Sequence, residues 1–87
     1  MYWTLSYHHT VVQYLISLRE AGHDLRYAIF SLQQTADGIP EGGVTQMEPG
    51  VYVWEIYAHQ VMYRRIEQEH RLFISSVRPL PKDIETS

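Results

Sequence analysis

Apolar side chains along this chain follow two rhythms, and the change between them comes near Gly50. Over residues 7–21, Val11, Leu15 and Leu18 recur at i, i+4 and i+7, with Val12 and Ile16 widening the stripe. A helix gathers such positions on one face, so this stretch predicts a first helix. Ser6 offers a hydroxyl at its N-cap. Gly22 closes it, because glycine tolerates the left-handed conformation of a C-terminal cap. Asp24 can cap a second helix, in which Leu25, Ala28, Ile29 and Leu32 fall at i, i+3, i+4 and i+7 and which ends near Ala36. The short link makes the two helices an antiparallel hairpin. Ahead of them, Tyr2-Trp3-Thr4-Leu5 is β-prone and predicts a strand.

Residues 37–50 hold four of the five glycines and two of the four prolines, and read as a long connection. Beyond Gly50 the period becomes two. Tyr52, Trp54 and Ile56 alternate with Val51, Val53, Glu55 and Tyr57, and Trp54 marks the side that faces the core. Val61 and Tyr63 alternate with Gln60, Met62 and Arg64 in a second strand over residues 60–67. After the polar turn Gln68-Glu69-His70, a third strand runs over residues 71–78, stopped by Pro79 and Pro81, which lack a ladder donor. Two tight connections in a row predict an antiparallel meander. The expected fold is therefore α+β, in the order β-α-α-β-β-β. The N-terminal strand and two-helix hairpin pack on one face of a small twisted antiparallel sheet, as a single domain over residues 1–81 with a frayed tail at 82–87. The other sheet face is left open and partly apolar, a surface for a partner or substrate.

Composition narrows the chemistry. There is no cysteine, which excludes disulfides and thiolate catalysis. No run approaches the ~20 apolar residues of a membrane span, and the first residues lack the basic and apolar regions of a secretory signal. A cytoplasmic protein with no membrane partner is expected. The net charge of −3 is uneven: residues 1–50 carry two arginines against five acids, and residues 51–87 balance five basic against five acidic side chains. Phosphate neutralisation supplies most nucleic-acid affinity, so the absence of a basic excess leaves only a local arginine patch for such a role.

His59, Arg64, Arg65, His70, Arg71 and Arg78 are the candidates for chemistry: two imidazoles for proton transfer and four guanidiniums for phosphate. The ordinary alternative is a solvated strand edge that happens to be basic, and His59 and His70 fall at opposite ends of one strand. Tyr52 and Tyr57, with Gln60 and Met62, are candidates for binding, since exposed tyrosines stack on bases or anchor peptides. Glu55 is either a general base or the ion-pair partner of Arg64 or Arg65 on the next strand. His8 and His9 diverge on a helix, and no acidic or cysteine ligand stands at zinc spacing, so neither a metal nor any other cofactor is expected. The glycine-rich stretch has no lysine and no helix directly after it, unlike a phosphate loop.

This order of elements resembles the RelE/ParE toxin superfamily. Pro49-Gly50-Val51-Tyr52-Val53-Trp54-Glu55-Ile56 is similar to the glycine and tryptophan-glutamate-leucine segment of its phage-derived branch. Gln60-Val61-Met62-Tyr63 is similar to an arginine-valine-leucine-tyrosine strand, and Phe73-Ile74-Ser75-Ser76-Val77 to the apolar last strand. The resemblance implies a type II toxin with a cognate antitoxin, acting on messenger RNA in the ribosome without metal or, in ParE-like members, on gyrase. The cutters carry their basic and acid–base groups on the open sheet face. Here the family's strand arginine falls on Gln60, and two lysines fall near Val53 and Glu55. An arginine past the last strand falls near Leu80, between Arg78 and Lys82, and the C-terminal tyrosine or histidine has no counterpart. The expectation is a toxin-like protein that acts by protein binding or has a degenerate catalytic site. The alternatives are a ribosome-dependent endoribonuclease with a displaced arginine and histidine set, or a homodimeric interaction domain that reuses the fold.

Overall fold

The computed structural model describes residues 3–81. Strand β1 is Thr4–Tyr7, helix α1 His9–Leu18 and helix α2 His23–Ser31, with 3-10 turns at Arg19–Gly22 and Leu32–Gln34. Four strands follow, β2 Val44–Glu48, β3 Val51–Ile56, β4 His59–Ile66 and β5 Arg71–Pro79, with a 3-10 turn at Glu67–Glu69. The sheet order is β1-β5-β4-β3-β2. The expected α+β order and the β3-β4-β5 meander are both present.

Two features exceed the expectation. The stretch read as one long connection contains β2, which pairs antiparallel with β3 through the Pro49-Gly50 turn, where Gly50 takes φ +82°. Four of the five β2 residues are exposed, so neighbouring backbone, and not a buried side-chain face, holds this strand. At the other edge β1, expected on the sheet face beside the helices, is instead a strand of the sheet and runs parallel to β5, so the sheet is mixed and not antiparallel throughout. The tail at 82–87, and with it Lys82, lies outside the described residues, as do Met1 and Tyr2.

The helix boundaries shift for local reasons. Ser6 belongs to β1, and the cap of α1 is His8, whose Nδ1 accepts the Thr10 N–H at 3.2 Å. Helix α1 breaks at Arg19, which takes φ 54° and ψ −129°. Gly22 is not left-handed: its φ is −91°, and a Cβ there would stand 2.9 Å from Leu18 Cβ and 3.3 Å from the Leu15 carbonyl oxygen. Its role is to let the hairpin close tightly. Helix α2 starts at His23 with Gly22 as its cap, places Asp24 in the first turn where the helix dipole favours a carboxylate, and ends at Ser31. The 3-10 turn to Gln34 stops short of Ala36, and Gln33 returns a side-chain N–H to the Trp3 carbonyl at 2.8 Å, tying the helical layer to the start of β1.

One core joins the layers. Val11, Leu15, Leu25, Ile29 and Leu32 from the helical side bury against Trp54, Val61, Tyr63, Leu72, Ile74 and Val77 of the sheet, with Trp3 at one end. Each such aliphatic side chain contributes about 1.5–3 kcal/mol by leaving water. Val12 and Ile16 are 42% and 66% exposed, so the buried stripe of α1 is narrower than its apolar pattern.

Candidate functional site on the open sheet face

Alternation turns Tyr52, Trp54, Val61, Tyr63, Leu72 and Ile74 toward the helices and leaves their neighbours on the opposite face. The strand register arranges these in rows across β3, β4 and β5: Val51–Arg64–Phe73, Val53–Met62–Ser76 and Glu55–Gln60–Arg78. All nine are exposed or half-buried. Directly opposed side chains stand roughly 5 Å apart at Cβ, so Glu55 and Arg78 flank Gln60 within one reach.

A bulge decides the third row. The pairing of β4 with β5 shifts between Met62 and Tyr63, leaving Ser75 as the extra residue of β5. Its hydroxyl donates to the Met62 carbonyl at 3.1 Å. Strict alternation from Leu72 and Ile74 would turn Ser76 and Arg78 inward. The extra residue reverses the phase, so Val77 is buried and Arg78 joins the open face.

The six candidate basic residues do not converge. Arg64 and Arg78 lie exposed on the open face, and Arg71 lies at its end beside Ile66, paired with Glu69 at 2.8 Å. Arg65 has the opposite parity. It donates to the Asp37 carbonyl at 3.0 Å, forms an ion pair with Glu67, and places its guanidinium 5.8 Å from the centre of the Trp3 ring. His70 stacks on Trp3 at 4.1 Å, with a left-handed φ of 52° and its Nε2 buried and unpartnered among the described residues. These groups border a cavity of about 370 Å³ in which Asp37 and Glu67 offset the Arg65 charge.

His59 is also on the helix side. Its Nδ1–H donates to the Tyr57 carbonyl at 2.7 Å, and its Nε2 accepts from the Tyr14 hydroxyl at 2.8 Å. The ion pair anticipated between Glu55 and Arg64 or Arg65 is not formed: Glu55 faces Gln60, and Arg64 faces Val51 and Phe73. Charge pairing went instead to Glu67 and Glu69, two residues from their arginines.

The binding candidates divide as well. Gln60 and Met62 are on the open face. Tyr52 is 7% exposed and stacked on Tyr63 at 5.5 Å, so it is a core residue and not a contact residue. Tyr57 is 56% exposed in the β3–β4 turn, where it and Ala58 take φ 51° and 59°. A left-handed conformation costs a side-chain-bearing residue roughly 1–2 kcal/mol. Tyr14 went unnoticed in the sequence because nothing there links α1 to a histidine on β4. His8 and His9 stack on each other at 4.4 Å, and among the described residues no group of three or more metal-ligating side chains is placed to hold an ion. No helix among them is long and apolar enough to cross a membrane.

No protein-family model and no curated protein matches the chain. Solved structures do match its fold. The isolated E. coli RelE toxin superposes with a TM-score of 0.71 at 15% identity, over 97% of this chain and 89% of that one. A two-arginine mutant of E. coli RelE in the free state gives 0.71 at 15% identity, covering 91% and 84%. The same mutant in complex with an antitoxin RelBc peptide gives 0.70 at 15% identity, covering 98% and 90%. The architecture is that of the RelE fold.

Proposed function

We propose that this chain is the toxin-like component of a toxin–antitoxin module and acts by binding a protein rather than by cutting RNA. The fold supports the first half, and a structural neighbour in complex with an antitoxin peptide supports an antitoxin protein as a partner. The observation that carries the second half is the row Glu55–Gln60–Arg78. The resemblance sets a lysine near the first position, an arginine at the second, and another arginine two residues beyond the third. Here one position is acidic, one neutral and one basic, so the row has no net charge with which to hold a phosphate. Both candidate histidines are engaged on the other side of the sheet. A phosphoryl-transfer site needs donors converging on developing charge together with a proton-transfer group; on this face Arg64 and Arg78 stand in different rows, and neither candidate imidazole is on it.

Induced expression in a bacterium tests the reading. Growth arrest without new messenger RNA ends in primer extension is the expected result. Arrest accompanied by cleavage at defined codons, lost in Arg64→Ala and Arg78→Ala, would favour the ribonuclease alternative, for which the placement of Arg64, Arg71 and Arg78 on one face speaks. No arrest at all would remove the toxin role.

A further inference from the structure

We propose that Tyr57 is the side chain that contacts the protein target, and that Tyr14 and His59 are positioning residues that fix the turn presenting it. This rests on the toxin reading above. The β3–β4 loop has two residues, closed by the Ile56–His59 pair, and both take positive φ. Turns of this kind favour Asn-Gly. The chain instead uses tyrosine and alanine, which oppose the conformation. Tyr57 does not repay this within the domain: it is 56% exposed, and among the described residues it stacks on no ring and its hydroxyl makes no hydrogen bond.

Yet the turn is held from three sides. His59 Nδ1–H donates to the Tyr57 carbonyl at 2.7 Å, the Tyr14 hydroxyl bonds His59 Nε2 at 2.8 Å, and the Leu80 N–H donates to the Ala58 carbonyl at 2.9 Å. Strained backbone persists where its surroundings over-determine it and a site uses it. The clamp fixes the backbone that carries Tyr57, so only its two side-chain torsions are left to order when the large amphipathic ring binds.

The surroundings select the partner. The turn caps the end of the sheet that carries the Glu55–Gln60–Arg78 row. A nucleic-acid backbone would meet Glu55 with repulsion. A protein surface with an apolar pocket for the ring, an acid toward Arg78 and a donor toward Glu55 complements the whole row.

The test compares the full chain with Tyr57→Asn/Ala58→Gly, Tyr57→Phe and Tyr14→Phe, reading growth arrest on induction and the thermal midpoint of each purified protein. The Asn-Gly variant is expected to melt several degrees higher, yet to arrest growth at least about ten-fold less, the scale of one anchor side chain. Tyr57→Phe keeps most of the arrest. Tyr14→Phe weakens arrest in the native background and adds nothing to the Asn-Gly variant, an interaction that simple loss of stability does not produce. An Asn-Gly variant as toxic as the native chain overturns the proposal while leaving the toxin reading intact. A native chain without toxicity brings down both. Anisotropy with a labelled single-stranded RNA is a further arm: binding that disappears in the Asn-Gly variant would reassign Tyr57 to base stacking and overturn the protein target.

Discussion

The phenol of Tyr63 donates to the carbonyl of Gly38 at 2.9 Å, fastening the middle of β4 to the segment that leaves the helical layer. Burial pushes this hydroxyl far above its ordinary value of 10.0, with the Tyr52 and Asp37 charges acting in the same direction and Arg65 opposing. Burial also raises Tyr7. The folded chain therefore keeps protons that the unfolded chain releases above pH 10. Their contribution to stability is complete below that pH and is lost as pH rises through the folded values. Urea unfolding should show stability falling above pH 10. Tyr63→Phe should lower stability at pH 7 by about 1–2 kcal/mol by leaving the Gly38 carbonyl unpaired, and should flatten the alkaline decline. An unchanged alkaline slope in that variant would assign the effect elsewhere.

Substitutions at Gly22 and Arg19 should have opposite signs. Gly22→Ala drives a Cβ to 2.9 Å from Leu18 Cβ and should cost about 1–3 kcal/mol by overpacking. Arg19→Gly relieves a positive φ at an exposed position and should add about 0.5–1 kcal/mol. Chemical denaturation of the two variants measures both, and a stabilising Gly22→Ala would refute the close-approach account.

Deleting Ser75 should be tolerated. The bulge makes it the extra residue of β5, so its removal regularises the ladder and keeps Val77 inward and Arg78 outward; the expected cost is about 0.5–1.5 kcal/mol, that of the lost hydroxyl bond to Met62. Deleting Phe73 removes a paired residue and slips the register against β1 and β4 together, which should abolish cooperative unfolding. Circular dichroism with urea titration separates these outcomes, and equal damage from both deletions would mean that the bulge is not where β5 absorbs its extra residue.

His70→Ala should act on stability alone. It loses the stack on Trp3 while keeping the left-handed backbone, at a cost of about 1 kcal/mol. His70→Gly loses the same stack but removes the strain, and should be close to native. Neither should alter growth arrest, whereas loss of arrest in a normally folded His70→Gly protein would return the imidazole to the list of chemical groups.

Much of the fold was legible in side-chain period alone. Leu25 and Ile29 in α2, and Trp54, Val61 and Tyr63 in the sheet, are buried where their spacing places them. The same alternation put Gln60, Met62 and Arg64 on the open face. Arg78 could not be read this way, because a single extra residue inverts the phase after Ile74 and leaves no compositional mark. β2 was invisible for a related reason: a strand that buries almost nothing has no hydrophobic signature. Tyr52 shows the limit for amphipathic rings, which suit a core and a contact surface equally until the packing around them is known. The histidines looked like chemistry because imidazole is versatile, yet Tyr14 and Trp3, distant in sequence, occupy them both.

The parallel seam between β1 and β5 also governs how the domain is made. Nearly the whole described chain separates Thr4 from Arg71, its partner in that seam. At about 5–20 residues per second, Thr4 waits on the order of seconds after synthesis for the strand that will shelter it. A nascent chain halted before Arg71 leaves both β1 and β4 with unsatisfied edges, open to chaperones and proteases, so no product that ends short of β5 can complete the sheet.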